Sequence, residues 1–284
     1  MDDDLLAARL EALDEALRPL GSLVVAFSGG ADSAFLLAAA TRALGPASVV
    51  AATAVSPSLA THELDAAASF AAGLGVRHET PRTDEMSREG YRANAGDRCY
   101  FCKAELLDVL RPLADRLGIG HVATGTNADD AVAGFRPGIR AAAERGALTP
   151  LRDAGFTKAQ VRAASRAWGL PTWDKPALAC LSSRVAYGVA ITPQRLVRVD
   201  QAEVALRAAL DRAGVAVRDL RVRDLGDRAR VEVDAELAGW LAGRPDLLAC
   251  VEGFAAVEVD PRGFRSGSMN EALEAPTPAS PRRL

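Results

Sequence analysis

Long apolar runs are missing from this 284-residue chain. No stretch approaches the roughly 20 uninterrupted apolar residues of a membrane span, so no membrane partner is expected. The start, MDDDLLAARLEALDEAL, is acidic and amphipathic, unlike a signal peptide, and points to a cytoplasmic protein. A basic excess is missing too. Lys+Arg number 34 against 37 Asp+Glu, for a formal net charge of -3, and without a basic stripe no nucleic acid is expected as partner. Histidine is scarce: His62, His78 and His121 are scattered, form no His-x-x-x-His pair, and read as structural. Cysteine is limited to four residues, which in a reducing compartment are candidates for metal, redox or sulfur chemistry before disulfides. No internal repeat is evident.

What is present is a 49% hydrophobic, 25% charged chain, long enough for one large domain or two ordinary ones. Short apolar runs (SLVVAF, ASVVAATAV, GVRHET, GHVAT) alternate with helix-like runs, the second of which, THELDAAASFAAGLG, carries a Thr N-cap and a Gly stop. Such alternation implies a parallel sheet covered on both faces, with ligands at the carboxyl ends of its strands. Near residue 178 the pattern changes to a loop-rich connector. A helix, a hairpin around LGDRA, an interrupted helical stretch and a last strand follow, which suggests an α+β module. The expected division is 1–178, then 179–270 as connector and smaller domain, then a Pro-rich, disordered tail at 271–284.

The stretch AFSGGADSAFLLAAA places Ser28, Gly29, Gly30, Asp32 and Ser33 between the first strand and its helix. Glycine permits close backbone approach and positive φ, and a helix start attracts anions. A tight turn with an N-cap has the same look. G-x-x-x-x-G-K-[ST] does not fit, so the motif has no Walker lysine. S-G-G-x-D-S fits, and resembles the PP-loop of the ATP pyrophosphatases. By that resemblance Gly29, Gly30, Ser28 and Ser33 cradle the leaving phosphates of ATP, and Asp32 holds Mg²⁺ against them; oxygen ligands suit Mg²⁺.

Cys99 and Cys102 form a C-x-x-C pair at a helix start, open to redox, zinc, iron-sulfur and plain structural readings. Cys180 lies on the connector between Lys175 and Arg184, whose positive charge would give it thiolate character if the side chains converge. Cys250, in an apolar run, reads as core. GTNADD places Asn127, Asp129 and Asp130 at a strand end, fit for Mg²⁺, for ribose hydroxyls or for capping a helix. Arg221 and Arg223 stand at strand spacing, so on one face, which suits a phosphate or carboxylate ligand or simply a solvated surface.

Taken together, AFSGGADS, GDRCYFCK, GTNADDAVAGFRPG, TKAQVRAASRAWGLPTWDKPALACLSSRVAYG, RVRDLGDRARVEV and GFRSGSMN resemble the LarE family, in order, from about residue 5 to about residue 270. That family makes the nickel-pincer nucleotide cofactor of lactate racemase and related enzymes. The resemblance implies an α/β, parallel-sheet PP-loop (adenine nucleotide alpha-hydrolase-like) domain with a second, smaller α+β domain. It implies an ATP-dependent sulfur transferase that adenylates the carboxylates of pyridinium-3,5-biscarboxylic acid mononucleotide, releases pyrophosphate, and forms thiocarboxylates. Some members sacrifice the sulfur of a single cysteine at the position of Cys180. Others carry all three thiols, as here, so Cys99, Cys102 and Cys180 are expected to hold a [4Fe-4S] cluster whose open iron binds sulfide. Asp32 and Cys180 would be catalytic, and Arg184, Arg221 and Arg223 would bind the small-molecule nucleotide substrate. Sulfide or another sulfur donor and a homo-oligomeric state complete the expected partners. One departure is Gly134, which stands where an acid is expected before Arg-Pro-Gly. Rivals are another PP-loop thiolation or amidation enzyme, and a nucleotide-binding iron-sulfur sensor that turns nothing over.

Overall fold

The computed structural model describes residues 3–132, 137–176, 180–265 and 267–271. Two compact units divide the chain: Met1–Arg92 with Asp97–Cys180, and Ala93–Gly96 with Leu181–Leu284. In the first unit α1 (Asp3–Leu17) leads into β1 (Leu23–Ala26), α2 (Ala31–Leu44), β2 (Val49–Ala52), α3 (Thr61–Gly73) and β3 (Arg77–Glu79). There follow the single turn α4 (Glu89–Arg92), the long α5 (Arg98–Arg116), β4 (Val122–Thr124), and the helices α6 (Ala128–Val132), α7 (Pro137–Glu144), α8 (Pro150–Asp153) and α9 (Lys158–Ala167).

The four strands form one all-parallel sheet in the order β3-β2-β1-β4. Both of its faces are buried, which is why β1 and β2 are continuous apolar runs rather than alternating ones. Leu23 and Val25 face one cluster with Leu13, Leu17, Phe35, Phe156 and Val161, whereas Val24 and Ala26 face another with Leu107, Leu110 and Leu113 of α5. The strand order reverses beside β1, because β2 and β3 lie on one side and β4 on the other. The loops that leave the carboxyl ends of β1 and β4 therefore flank the crevice where ligands bind in open α/β sheets.

The second unit contains a short 3₁₀ turn (Leu181–Arg184), α10 (Pro193–Arg212), β5 (Leu220–Asp224), β6 (Arg228–Val233), α11 (Ala235–Ala242), α12 (Pro245–Leu248) and β7 (Ala256–Val259). Its sheet runs β5-β6-β7, with β5 and β6 the expected antiparallel hairpin and β7 added parallel to β6. Leu220, Val222, Val231 and Val233 meet Leu206, Leu210 and Leu241 in a third core. Asn94, at a positive φ of 53°, is fully buried in this unit, where its amide donates to the Ala186 carbonyl at 2.8 Å and the Val189 carbonyl at 2.9 Å. Gly263 (φ +67°) is required, because a Cβ there would meet the Cα of Ala235 at 2.5 Å.

The fold class expected from the alternation of apolar runs and helices is the one observed. Details differ. The N-cap of α3 is Ala60, one residue before Thr61, and α5 starts at Arg98, so both of its cysteines are helical. The short helices α4, α7 and α8 were not expected, since each is too brief to show a period. Gly134 and the tail from 272 onward lie outside the described residues.

Candidate active site

At the mouth of β1 the loop turns on Gly29, whose φ of 75° lies in the left-handed region, and Gly30 becomes the N-cap of α2. The two serines brace the loop. Ser33 Oγ accepts from the Ser28 amide at 3.3 Å and donates to the Gly30 carbonyl at 3.1 Å, and it lies 3.1 Å from Ser28 Oγ. Helix α2 begins here, and the first amides of a helix have no partner within it, which gives this end its affinity for anions. The Gly125 backbone, at the end of β4, is packed against the same turn: a Cβ at Gly125 would lie 2.7 Å from the Ser33 nitrogen. Glycine in GTNADD thus lets the two loops approach.

Asp32 occupies the first turn of α2, and its Oδ1 is buried without a hydrogen-bond partner. Burial raises its pKa; Lys158 opposes that shift, Asp130 adds to it, and a hydrogen bond with Asn127 opposes it. An unsatisfied carboxylate oxygen is costly unless something outside the chain completes it. The oxygen therefore fits Mg²⁺. Asn127 is buried, and Asn127 and Asp130 cap each other: Oδ1 of Asn127 accepts from the Asp130 amide at 3.1 Å, and Oδ2 of Asp130 from the Asn127 amide at 3.3 Å. Asp129 accepts from the Lys158 amide at 2.8 Å, at the start of α9. Both acids of GTNADD are thus engaged as caps, next to an Asp32 that is not.

Glu63 and Arg162 were not singled out in the sequence, and Lys175 was read only as a neighbour of Cys180. Lys175 Nζ lies 3.0 Å from Glu63 Oε2 and 3.3 Å from the Gly29 carbonyl oxygen. Arg162, in α9, donates to the carbonyls of Trp173 at 3.4 Å and Lys175 at 2.8 Å. Helix α9, held at its start by a Thr157 and Gln160 capping box, carries Arg162. Each of the two cations that flank Cys180 in sequence has a carboxylate partner: Lys175 is paired with Glu63, and Arg184 with Glu203 at 3.0 Å. Both charges are already balanced.

The thiols of Cys99 and Cys102 share a face of α5, one turn apart. The two aromatic residues between them turn elsewhere. Tyr100 lies under the guanidinium of Arg140 in α7 at 4.7 Å, and the Phe101 ring fills the space that a Cβ on Gly90 would occupy. Cys99 and Cys180 are exposed and Cys102 is half-buried. Burial pushes the Cys102 thiol up, and the charges of Cys180 and Glu85 push it the same way. Burial lowers the Lys103 pKa, and the thiols oppose that shift. Glu85, also buried, accepts hydrogen bonds from Ser56 and from Ser58 (2.6 Å), residues of the loop after β2. Among the described residues no three His, Cys, Asp or Glu side chains converge tightly enough to hold a single metal ion. Cys250 is partly buried against the third core, and its thiol donates to the Leu247 carbonyl at 3.0 Å.

In the second unit Arg221 and Arg223 share a face of β5, but that face is covered, with relative exposures of 9% and 5%. Arg223 is paired with Glu232 at 2.6 Å and also donates to Ser268 Oγ at 3.1 Å. Arg221 lies 5.4 Å from the Phe264 ring and donates to the Leu220 carbonyl at 2.7 Å. Burial, and next the charge of Arg184, lower the Arg221 pKa to about 10. An anion arriving beside such a group relieves part of that cost.

The all-parallel sheet with a glycine turn at β1, joined in one chain to a mixed three-stranded unit, defines a protein with a PP-loop-type domain and a second α+β domain. The chain belongs to the LarE family. It is 34% identical over 271 residues to the pyridinium-3,5-bisthiocarboxylic acid mononucleotide synthase of Lactiplantibacillus plantarum, a match covering 94% of this chain and 96% of that one. An uncharacterized protein of Synechocystis is 41% identical over 274 residues (95% and 99%), and one of Methanocaldococcus jannaschii 23% over 246 (86% and 91%). No family model matches the chain. Among the described residues no helix is long and apolar enough to cross a membrane.

Proposed function

We propose that the protein is an ATP-dependent sulfur transferase that converts the carboxylates of pyridinium-3,5-biscarboxylic acid mononucleotide into thiocarboxylates. The observation that carries this is the buried, unpaired Asp32 oxygen at the glycine turn, in a chain that matches a bisthiocarboxylic acid mononucleotide synthase over nearly its whole length. In the first step a substrate carboxylate oxygen attacks the α-phosphorus of ATP and pyrophosphate leaves. The Gly29 and Gly30 backbone and the helix start orient the departing phosphates; Asp32 would hold Mg²⁺, whose charge would offset the negative charge of those phosphates. In the second step a sulfur nucleophile attacks the acyl carbon and the bond to AMP breaks. Each carboxylate consumes one ATP and one sulfide.

Three thiols in one unit, two of them exposed and both raising the pKa of the third, Cys102, fit a [4Fe-4S] cluster held by Cys99, Cys102 and Cys180. A cluster sets its thiolates further apart than a single ion does, so a single-ion geometry is not required of them. When bound, the cluster would carry the sulfur that the reaction consumes. In the second unit Arg221, with Arg184 and Arg223 behind it, is the proposed anchor for the anionic nucleotide.

The test is an anaerobic reaction of iron-reconstituted protein with Mg-ATP, sulfide and the biscarboxylic nucleotide. AMP, pyrophosphate and thiocarboxylate should form over many turnovers, with iron and acid-labile sulfide bound. ADP and phosphate as the main products would refute the adenylation. Loss of one sulfur from Cys180, seen by intact-protein mass spectrometry and limited to one turnover, would replace the cluster with a sacrificial cysteine.

A further inference from the structure

We propose that Lys175 is the phosphate-binding lysine of the glycine turn, supplied from a distant stretch of chain in place of the one the S-G-G-x-D-S motif lacks. The proposal rests on the reading that this turn binds ATP. Its ammonium lies 3.3 Å from the carbonyl oxygen of Gly29, the residue on which the turn pivots, and 3.0 Å from Glu63. An ammonium carries three donors, and these two acceptors take two of them.

The arrangement around Lys175 is built to hold that charge in place. Arg162 donates to the carbonyls of Trp173 and Lys175 itself, so the backbone under the side chain is tied to α9. Glu63 is nearly buried, at 9% exposure. Burial works against its charge, yet hydrogen bonds from His62 and Lys175 keep its carboxyl below the ordinary range, so it stays ionised. Of the two cations that Asp32 senses, Arg162 is spent on the two carbonyls and Lys158 is exposed on its helix. Lys175, by contrast, is fixed against the turn's own backbone.

A neutral carbonyl is a weaker acceptor for an ammonium than a phosphate oxygen. When a polyphosphate enters, Lys175 exchanges the Gly29 carbonyl for an oxygen of the departing phosphates, and Glu63 remains as the positioning residue that keeps the ammonium in line. No bond is broken or formed. Glu63 also competes for the ammonium with the incoming anion, so removing its charge favours that anion.

Calorimetric titration of the full-length protein with pyrophosphate, and separately with AMP, in the presence of Mg²⁺ tests this. Lys175→Met should weaken pyrophosphate about tenfold or more and leave AMP within about twofold, the loss expected for one charge-assisted hydrogen bond. Lys175→Arg should recover part of that affinity. Glu63→Gln should tighten pyrophosphate severalfold. Wild-type pyrophosphate affinity in Lys175→Met, parallel losses of pyrophosphate and AMP, or no tightening in Glu63→Gln would overturn the proposal while the ATP reading stands. A wild-type protein that binds neither ATP nor pyrophosphate would overturn both.

Discussion

The two units differ in how far their charges are paired and their thiols exposed. Around β5 most buried charges are matched: Arg223 with Glu232, Arg184 with Glu203, and Asp224, fully buried, with Arg195 at 2.8 Å and the Gly226 amide at 2.9 Å, whereas Asp219 Oδ1 and Arg198 Nε are buried without a partner. Around β1 a carboxylate oxygen of Asp32 is left unpaired, and two of the three thiols are exposed. Pairing satisfies a structure, whereas an unpaired buried group has to be completed by something that binds. The exposed thiols and Asp32 make the first unit the place for reactive groups, and ion pairs dominate the second, where Asp219 Oδ1 and Arg198 Nε are the exceptions.

The largest effect that would sharpen this contrast lies at the thiols. Cys180→Ala should abolish thiocarboxylate formation while pyrophosphate release persists. Cys99→Ala or Cys102→Ala should each lose the brown chromophore and multiple turnover, and Cys250→Ala should keep both. Silent changes at Cys99 and Cys102 would mean that Cys180 acts alone.

Next comes Asp32→Asn, which should slow pyrophosphate release by about 10²–10³-fold yet stabilise the free protein. Burial raises the Asp32 pKa in the folded chain, so the unfolded chain loses this proton at a lower pH. Ionisation consequently weakens the fold as pH rises from the unfolded carboxylate pKa through the raised folded one. The variant should therefore unfold at higher urea than wild type at neutral pH. Its advantage should shrink as pH falls through that window. A variant less stable than wild type at neutral pH would show that the Asp32 charge is already satisfied.

Arg223→Ala should lower stability by about 3–5 kcal/mol, because Glu232 is left as an uncompensated buried charge. A double change to well-packed apolar residues should recover most of that in urea unfolding. If the single variant unfolds like wild type, the second unit is not locked by its charges. The smallest effect is at Thr157, where Thr157→Ala removes a cap worth about 1 kcal/mol. Thermal unfolding should register it as a shift of a few degrees, without change in the affinity for pyrophosphate.

Local chemistry was legible in the sequence. The SGG turn, the antiparallel hairpin and the apolar strands each depend on neighbours a few residues apart, and the structure has all of them. Spacing also put Arg221 and Arg223 on one face of a strand, as they are. Whether that face met water was another matter: in the fold it is covered, and Arg223 has Glu232 as a cross-strand partner.

What the sequence by itself determined, then, was the order of the main strands and helices and the kinds of groups at the ends of β1 and β4. Hydrogen bonds between near neighbours and the 2.0 and 3.6 residue periods write these into short stretches. Only the tertiary structure decided the partners of charged groups. Lys175 meets Glu63 across 112 residues of sequence and the Gly29 carbonyl across 146. A charged side chain has no period that names its partner; packing of the sheet and its helices brings such pairs together, and burial then makes each pairing, or its absence at Asp32, energetically decisive.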